Sequence, residues 1–411
     1  MHDPHPQPTG RHSSPRLGYL SSGARVSTRS IAELVGPRSH VLGTISGYKE
    51  LGWDVAEYIV GDKVPESWVK PGSENVTRSG GTLKTLGVDM VRLAMGGYHS
   101  VRAGLELKHR VDWVYERGAL LQVMGWMFKR RGIPWILETN SLQWKEAAEN
   151  RDSLVLESVA RRMELWSYAA CDVVAPVSEA LRDILVENGV DPQKIVVVPN
   201  GVNLQSFNPE SVDASKGPGT FTVGFVGALS SWQALPLLFR AVSELRTEEN
   251  LDIGITIVGD GHARKEWEAE VRRLALGDRV EFEGFQPHDR VPAYIKGFDV
   301  GYSGPVRLAT GNMYMSPLKL YEYLAMATPV VAAGYEDAER LLSQSDAGFL
   351  FEPENKNDLK RALREAYRED CEVLREKGRS GREMVRKHHS WTARVKHLNE
   401  ETRRIIGGPR S

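Results

Sequence analysis

Residues 310–334 read T-G-N-M-Y-M-S-P-L-K-L-Y-E-Y-L-A-M-A-T-P-V-V-A-A-G, and this stretch decides the fold. It predicts a loop, a helix, a short turn and a buried strand. Pro317 suits the first turn of a helix, where its missing N–H costs nothing. Residues 318–326 are strong helix formers, the Thr-Pro pair that follows ends the helix, and residues 330–333 predict a short apolar strand.

The start of this helix is a candidate anion site. A helix that begins in such a loop presents unpaired backbone N–H groups and a partial positive charge, which suits a phosphate. Glu322 lies just over one turn into the helix, within reach of a sugar hydroxyl attached to that phosphate. The alternative is an ordinary helix–strand unit with a solvated glutamate, and on these residues alone both interpretations stay open.

Length and composition predict a globular protein of two domains. The 411 residues exceed one typical domain, and 41% hydrophobic with 26% charged residues supports a sizeable core. Lysine and arginine number 53 against 54 aspartates and glutamates, which argues against nucleic acid as a partner. The two cysteines, Cys171 and Cys371, provide neither a disulfide framework nor zinc spacing, as expected in the cytoplasm.

Strands and helices alternate along two segments of the chain. We predict a disordered tail over 1–16, an N-terminal domain over 17–207, a linker over 208–219 and a C-terminal domain over 220–385. The alternation predicts parallel sheets covered by helices, whose ligands bind where the strands end. Residues 386–411 predict a terminal helix that can cross back to the N-terminal domain. No apolar run reaches transmembrane length.

Two regions of the N-terminal half are predicted to face the cleft between these domains. Gly36 and His40 belong to the loop between the first strand and the first helix. Glu138 and Asn140 follow a predicted buried strand, and polar residues at a strand's carboxyl end are site candidates. For Asn140 the alternative is a residue that only caps the turn.

Further elements are predicted between these two regions and beyond them. Residues 119–131 predict a helix with an apolar stripe, which covers the sheet or, as an alternative, gives peripheral contact with a membrane surface. A long charged helix is predicted over 146–170.

Several short motifs occur in one order along the chain. The ordered set resembles the family 4 retaining glycosyltransferases (glycosyl transferases group 1) of the GT-B fold over residues 17–391, although each motif alone is weak. The resemblance implies an α/β fold of two Rossmann-like, doubly wound parallel-sheet domains facing a cleft. The motifs are Pro199-Asn200-Gly201-Val202-Asn203, Gly224-Phe225-Val226-Gly227, Ile257-Val258-Gly259-Asp260-Gly261, Gly284-Phe285 and Ser316-Pro317-Leu318-Lys319-Leu320-Tyr321-Glu322-Tyr323, the last similar to one branch of the family.

The resemblance also implies where the substrates bind. A nucleotide-sugar donor is held mainly by the C-terminal domain, the acceptor lies mainly on the N-terminal domain, and Glu322 binds the ribose hydroxyls. Gly36 and His40 are then acceptor-side residues, and residues 67–100 are grouped with the acceptor-side loops. The donor-binding residues that it implies are Gly227, Gly259, Phe285, Asn312, Ser316, Leu318, Lys319 and Glu322.

The sequence departs from the family pattern on the donor side. The first of the two family glutamates falls on Tyr314, and Asn312 or Ser316 is its expected substitute. The basic pair that touches the diphosphate in many members falls on Ala228 and Gln233. The phosphate charge is then left to the backbone N–H groups at the start of the donor helix and to the side chain of Lys319.

On the acceptor side, the histidine that many members carry near the reacting sugar falls on Asn140. Glu138 lies two residues away on the same strand and points to the same face. Either residue can orient the substrates, and the carboxylate is the better group to stabilise positive charge at the anomeric carbon. The chain has no Asp-x-Asp motif, which fits the metal independence of this fold class.

We therefore predict a retaining, metal-independent hexosyltransferase that moves a sugar from a nucleoside-diphosphate-sugar to a hydroxyl acceptor. The acceptor is a cell-envelope glycan or a small natural product, and no cofactor or metal is expected. One alternative is a GT-B sugar-nucleotide epimerase or hydrolase, and another is a degenerate nucleotide-sugar-binding subunit. The sugar, the base, the acceptor and the oligomeric state stay open.

Overall fold

The chain forms two parallel β-sheets, each covered by helices. The structure is a computed structural model that describes residues 14–29, 36–66, 69, 81–107, 110–150, 153–215, 219–306, 314 and 316–407. The predicted GT-B architecture of two Rossmann-like domains is confirmed.

The N-terminal sheet has five strands in the order β2-β1-β3-β4-β5, and every pairing is parallel. Its central strands are buried on both faces, as parallel strands between helical layers are. The strands are β1 (Arg16–Ser21), β2 (Asp54–Ile59), β3 (Trp113–Arg117), β4 (Trp135–Thr139) and β5 (Val173–Pro176). The helices are α1 (Gly36–Glu50), α2 (Val60–Lys63), α3 (Thr82–Leu107), α4 (Trp126–Lys129), α5 (Gln143–Lys145), α6 (Glu157–Ala170) and α7 (Glu179–Glu187).

The predicted helix over 119–131 is wrong, since only its last part, α4, is helical. The buried carboxylate of Glu116 accepts the backbone N–H groups of Met124 and Gly125, each at 2.8 Å, and so diverts them from a helix. Leu121 adopts a φ of 62°. Because Leu121, Met124 and Phe128 are buried in the core, the predicted stripe is not available to a membrane.

Side-chain carboxylates also divide the helix predicted over 146–170. Glu164 accepts the N–H groups of Gln143 and Trp144, each at 3.0 Å, which fixes α5 and the π-helical turn Glu146–Asn150 after it. Asp89 accepts the N–H of Val155 at 2.8 Å, just before α6 begins. The region grouped with the acceptor-side loops is helical from Thr82 onward, as α3.

The C-terminal sheet has six strands in the order β11-β10-β9-β6-β7-β8, again with parallel pairings. The predicted donor helix and the strand after it are present as α11 and β10. The strands are β6 (Phe221–Val226), β7 (Ile253–Val258), β8 (Val280–Gly284), β9 (Val300–Ser303), β10 (Val330–Ala333) and β11 (Gly348–Phe351). The helices are α8 (Leu235–Glu249), α9 (Arg264–Arg273), α10 (Val291–Lys296), α11 (Leu318–Ala325), α12 (Glu336–Ser345), α13 (Lys356–Arg368), α14 (Cys371–His388) and α15 (Trp391–Ile406).

The last helix, α15, packs on the first helix, α1. Ser390 caps α15 by accepting the N–H of Ala393 at 3.2 Å. Gly43 of α1 leaves room for the indole of Trp391, because a Cβ at Gly43 would lie 2.1 Å from the indole Nε1. The end of the chain thus covers the helix that carries His40.

Candidate active site

The carboxyl ends of both sheets face one cavity of about 2270 Å³. Its lining includes Gly36, His40 and Asn140 from the N-terminal half and Gly227, Phe285, Ser316, Leu318, Lys319 and Glu322 from the C-terminal half. Of the other predicted site residues, Glu138 and Gly259 lie directly behind this wall, and Asn312 lies outside the described residues.

Glu138 ends β4 and is almost fully buried, with 2% of its surface exposed. One carboxylate oxygen accepts from His40 Nε2 at 2.8 Å and from the Tyr115 hydroxyl at 2.6 Å. The other accepts from the Asn140 amide at 2.8 Å and from the Arg117 guanidinium. Four donors therefore occupy both oxygens, and three of these donors line the cavity.

This environment keeps Glu138 ionised. Burial raises the pKa of its carboxyl, but the charges of His40 and Arg117 outweigh burial and hold the pKa well below its usual range. A carboxylate with both oxygens engaged cannot take a proton from an acceptor or attack a sugar. Glu138 is thus suited to position Arg117, Asn140 and His40, which face the substrate space.

His40 connects this carboxylate to the donor side. Its Nε2 faces the Glu138 carboxylate, and its Nδ1 lies 2.6 Å from Asn200 Oδ1. The Asn200 amide nitrogen donates to the carbonyl of Ser316 at 2.6 Å, so its oxygen is the atom that faces the imidazole. Both imidazole nitrogens therefore face hydrogen-bond acceptors, and the ring is held between the Glu138 carboxylate and Asn200.

The donor helix α11 begins at the cavity wall. Pro317 precedes it, and the first two residues of the helix, Leu318 and Lys319, line the cavity. The first N–H groups of a helix have no acceptor within the helix and carry its positive partial charge. This end of α11 is therefore suited to bind an anion.

Two tight turns adjoin the start of α11. Gly227 after β6 and Gly259 after β7 have φ values of 140° and 138°, which L-residues rarely adopt. A Cβ at Gly259 would lie 2.0 Å from the carbonyl oxygen of Gly227, so the two turns pack backbone against backbone. Gly259 thus shapes the Gly227 turn rather than lining the cavity.

Lys319 supplies a cation beside these turns. Its Nζ donates to Gln233 Oε1 at 2.9 Å and lies 5.0 Å from the ring centre of Phe225 and 5.6 Å from that of Trp232. A Cβ at Gly227 would be 3.7 Å from this Nζ. Gln233, which stands where the family has a basic residue, thus orients a lysine that reaches the same place from α11.

Glu322 also lines the cavity, one turn further along α11. Burial raises the pKa of its carboxyl to about 7, and the nearby Lys319 charge opposes that increase only in part. The carboxyl accepts no hydrogen bond from any side chain or backbone group in the described part of the chain. It is therefore available to a ligand hydroxyl.

Tyr314 stands where the family glutamate is expected, and it serves a different purpose. Its side chain is 5% exposed and packs in the core of the N-terminal domain, while its carbonyl accepts the Ser178 hydroxyl at 2.7 Å. Close by, the Glu336 carboxylate accepts the N–H groups of Glu179 and Ala180, at 2.9 and 2.8 Å. These contacts attach the donor-side segment to the start of α7.

Two protein-family models match this chain, one in each half. The description "Glycosyl transferase 4-like domain" applies to residues 35–201. The description "Glycosyl transferases group 1" applies to residues 220–369, so that together the two models cover most of the chain. The chain belongs to the group 1 glycosyltransferases.

Individual curated glycosyltransferases match parts of the chain. It is 28% identical over 184 residues to the putative colanic acid biosynthesis glycosyltransferase WcaL of Escherichia coli, covering 45% of this chain and 44% of that protein. It is 27% identical over 232 residues to 2-deoxystreptamine glucosyltransferase of Streptomyces kanamyceticus, covering 54% and 58%. The chain thus spans about half the length of the curated relatives it matches.

Solved structures resemble the fold over almost the whole chain. Sucrose-phosphate synthase from Thermosynechococcus elongatus superimposes with a TM-score of 0.66 at 16% identity, covering 96% of this chain and 99% of that one. Anabaena HepE in complex with UDP and glucose gives a TM-score of 0.64 at 17% identity, covering 94% and 98%. At these identities the likeness shows the fold alone.

Sequence reasoning missed three residues of the site. Arg117 and Tyr115, both on β3, bind Glu138, and Asn200 links His40 to Ser316. Arg117 directly ends a predicted buried strand, which is the signal that could have identified it. Asn200 was quoted only as part of a motif, and its contact spans 116 residues of sequence.

The described residues contain neither a cluster of metal ligands nor a membrane-spanning helix. No group of three or more histidine, cysteine, aspartate or glutamate side chains there could hold a metal ion. No helix in this part of the chain is both long enough and apolar enough to cross a bilayer.

Proposed function

We propose that this group 1 glycosyltransferase moves a sugar, with retention and without a metal, from a nucleoside-diphosphate-sugar to a hydroxyl acceptor. One observation carries the proposal: a single cavity combines an anion-binding helix start on one wall with a carboxylate-centred cluster on the other. The first wall contains Lys319 and Glu322, and the second contains Arg117, Asn140 and His40.

The donor has a natural place on the C-terminal wall. We place its diphosphate against the first N–H groups of α11 and the Lys319 ammonium. Its ribose hydroxyls then donate to Glu322, and its base lies near Phe285, which is 48% exposed at the rim. The solved HepE complex contains UDP, so uridine nucleotides are the first donors to test.

The reaction then depends on position and charge. The bond between the anomeric carbon and the phosphate oxygen breaks, the acceptor oxygen bonds to the anomeric carbon on the same face, and the acceptor proton passes to the leaving phosphate. Positive charge at the sugar is stabilised by oriented dipoles such as that of Asn140, and negative charge at the phosphate by Lys319 and the α11 N–H groups. Glu138 positions the groups that face the sugar.

A donor panel tests this function. The protein is incubated with radiolabelled UDP-, GDP- and dTDP-sugars and an acceptor extract, in the presence of EDTA. We expect labelled product from one nucleotide class, with the anomeric configuration of the donor preserved by NMR. Loss of activity in EDTA with recovery in Mg²⁺ would contradict metal independence, and an inverted product would contradict retention.

The replacement of a family carboxylate by Tyr314 favours one second candidate, a subunit that binds nucleotide-sugar without turnover. The same panel separates it from the enzyme, because tight donor binding with no product in any arm would identify a binding subunit. Free sugar or an isomerised donor would identify a hydrolase or an epimerase. We place the protein in the cytoplasm, where its unpaired Cys171 and Cys371 stay reduced.

Donor binding should depend on pH through Glu322. Because burial raises the pKa of its carboxyl to about 7, half of the free protein carries a neutral carboxyl at that pH. Ribose hydroxyls prefer the ionised carboxylate, so the affinity should rise as the pH increases from 5.5 and level off above about 7. Calorimetric titration with UDP-glucose is suitable, since its phosphate diesters do not titrate in this range. In the variant Glu322→Gln, the affinity for UDP-glucose should no longer depend on pH.

Lys319→Met should weaken the binding of UDP by about tenfold to a hundredfold, because a charge-assisted contact to phosphate contributes about 1.5–3 kcal/mol. Binding of uridine, which has no phosphate, should be nearly unchanged. Lys265→Met on the exposed face of α9 is the matched control and should bind both ligands like the wild type. Equal losses for UDP and uridine would place the phosphate elsewhere.

A further inference from the structure

Helix α3 carries large apolar side chains on its outer face. Leu83, Met90, Tyr98, Val101 and Leu105 are between 46% and 86% exposed. Their spacing places them on one side of a 26-residue helix that is about 39 Å long. We refer to these five residues as the α3 stripe.

The inner face of α3 is, by contrast, polar or small at every buried position except Leu107. Its buried residues are Thr85, Asp89, Gly96, His99, Ser100, Ala103, Gly104 and Leu107. The Asp89 carboxylate accepts the N–H groups of Val155 and Leu156, the two residues before α6. His99 Nδ1 lies 3.0 Å from the Tyr58 hydroxyl. A helix that only covers a core has the opposite arrangement, and a continuous exposed apolar surface marks an interaction site.

The α3 stripe continues into the cavity. Val88 and Val91, which are 43% and 49% exposed, line the cavity together with Met95 on the adjoining flank of α3. Whatever covers the stripe therefore also reaches the acceptor side of the cavity. A rigid second copy of the chain on this surface would block access to the cavity beside Val88 and Val91. A lipid bilayer on this surface would instead leave the cavity accessible to acceptor molecules that lie in the bilayer.

Positively charged side chains lie beside the α3 stripe and in the adjoining cavity wall. Lys84 and Arg102 are exposed about five helical turns apart on the same edge of the stripe. The nearby Glu106 is paired with Lys63 at 3.4 Å. Inside the cavity wall Arg38 is 9% exposed, donates to the carbonyls of Thr28 and Arg29, and has no hydrogen-bond partner at Nε among the described residues.

We propose that the α3 stripe docks on an anionic lipid bilayer and that the acceptor is a lipid of that bilayer. The apolar side chains enter the interface, and Lys84 and Arg102 lie at the level of the anionic head groups. The acceptor head group then enters the cavity past Val88 and Val91, towards Arg38 in the cavity wall. Docking is independent of the proposed function, whereas the identity of the acceptor rests on it.

Sedimentation with vesicles tests the docking. The full chain is mixed with vesicles of phosphatidylglycerol and phosphatidylcholine in equal parts, or of phosphatidylcholine alone. We expect the wild type to sediment with the anionic vesicles, and the variant Met90→Glu/Tyr98→Glu/Leu105→Glu to lose at least about tenfold in partitioning. The variant Lys84→Gln/Arg102→Gln should also lose about tenfold, on anionic vesicles only.

A matched triple variant controls for added charge. Val186, Val373 and Ile405 are 38%, 42% and 37% exposed on α7, α14 and α15, and their replacement by glutamate should leave sedimentation unchanged. Equal losses in both triple variants, or a wild type that binds neither vesicle, would overturn the proposal. A wild-type dimer that becomes a monomer only in the stripe variant would also overturn it and identify a second copy as the occupant.

A transfer assay tests the acceptor. With vesicles of a total bacterial lipid extract and the labelled donor panel, label should enter the organic phase, and the stripe variant should lose this product while the control triple keeps it. Label found only in water-soluble product would refute a lipid acceptor. Calorimetric UDP binding by the wild type and by the stripe variant separates the two proposals. A wild type that binds anionic vesicles but not UDP would leave docking intact and reject the proposed function, whereas a stripe variant that binds UDP like the wild type but not vesicles would confirm that docking is a separate property.

Discussion

Glu138→Gln should lower the turnover of sugar transfer by about a hundredfold to a thousandfold, with little change in nucleotide affinity. Both oxygens of this carboxylate accept hydrogen bonds, two at each oxygen. An amide would present N–H groups to two of these donors and would remove the charge that offsets Arg117 and His40. The side chains facing the sugar would then lose their orientation, while the donor site on α11 lies on the other wall.

The measurements are the turnover number of the folded protein and the UDP dissociation constant. Removing one partner of a buried charged network costs about 3–5 kcal/mol, so a thermal melt accompanies them. Glu116→Gln is the matched control, because Glu116 is an equally buried carboxylate near the end of the neighbouring strand that accepts hydrogen bonds from Ser22, Met124 and Gly125, none of which bonds to Glu138. It should lower the melting temperature but keep turnover. Full turnover in Glu138→Gln would exclude a role in positioning.

Glu322→Ala should weaken nucleotide binding by about tenfold to a hundredfold while the fold persists. Each hydrogen bond from a ribose hydroxyl to an ionised carboxylate contributes about 1.5–3 kcal/mol. The unfolding free energy should not fall, because the Glu322 carboxyl accepts no hydrogen bond within the described residues. Its burial raises its pKa to about 7, which shows that the ionised form is destabilised in the folded protein. Calorimetry with UDP and with uridine should show the same loss for both ligands.

A substitution on the surface serves as the comparison for this result. Glu266 lies exposed in the first turn of α9, and Glu266→Ala should leave both affinities unchanged. Loss of UDP affinity without loss of uridine affinity would show that Glu322 acts on the phosphates and not on the ribose. Unchanged affinity for both would exclude it from the donor site.

The C-terminal domain could be predicted closely because its signals are local. Pro317 and the helix formers after it specify α11, and the β-branched run from Val330 specifies β10. Most strands in this domain are short apolar runs followed by glycine or polar residues, so the ends of these strands can be read from the sequence. The donor wall of the cavity follows from these local elements, as far as its residues are described.

The N-terminal domain was predicted less well because distant carboxylates decide where its helices begin and end. Glu116 and Asp89 accept N–H groups that a sequence pattern assigns to continuous helices, and Glu164 fixes a separate short helix just before the second of them. The inner face of α3 is mostly polar or small, so a continuous apolar period facing the core is missing there. The burial of Glu138 and its contact with His40 depend on a pairing across 98 residues, which no local pattern contains.

Tyr314 and α15 have a consequence for building hybrid enzymes. The N-terminal core is completed by a tyrosine that lies between β9 and β10 of the donor sheet and by a helix that follows the whole sheet. A chimera that joins this acceptor half to a foreign donor half at residues 208–219 would lose Tyr314 and the α15 residues Val395 and Leu398, and would open two gaps in that core. Exchange of donor specificity should therefore graft an internal segment and retain both the tyrosine and the final helix of the acceptor parent.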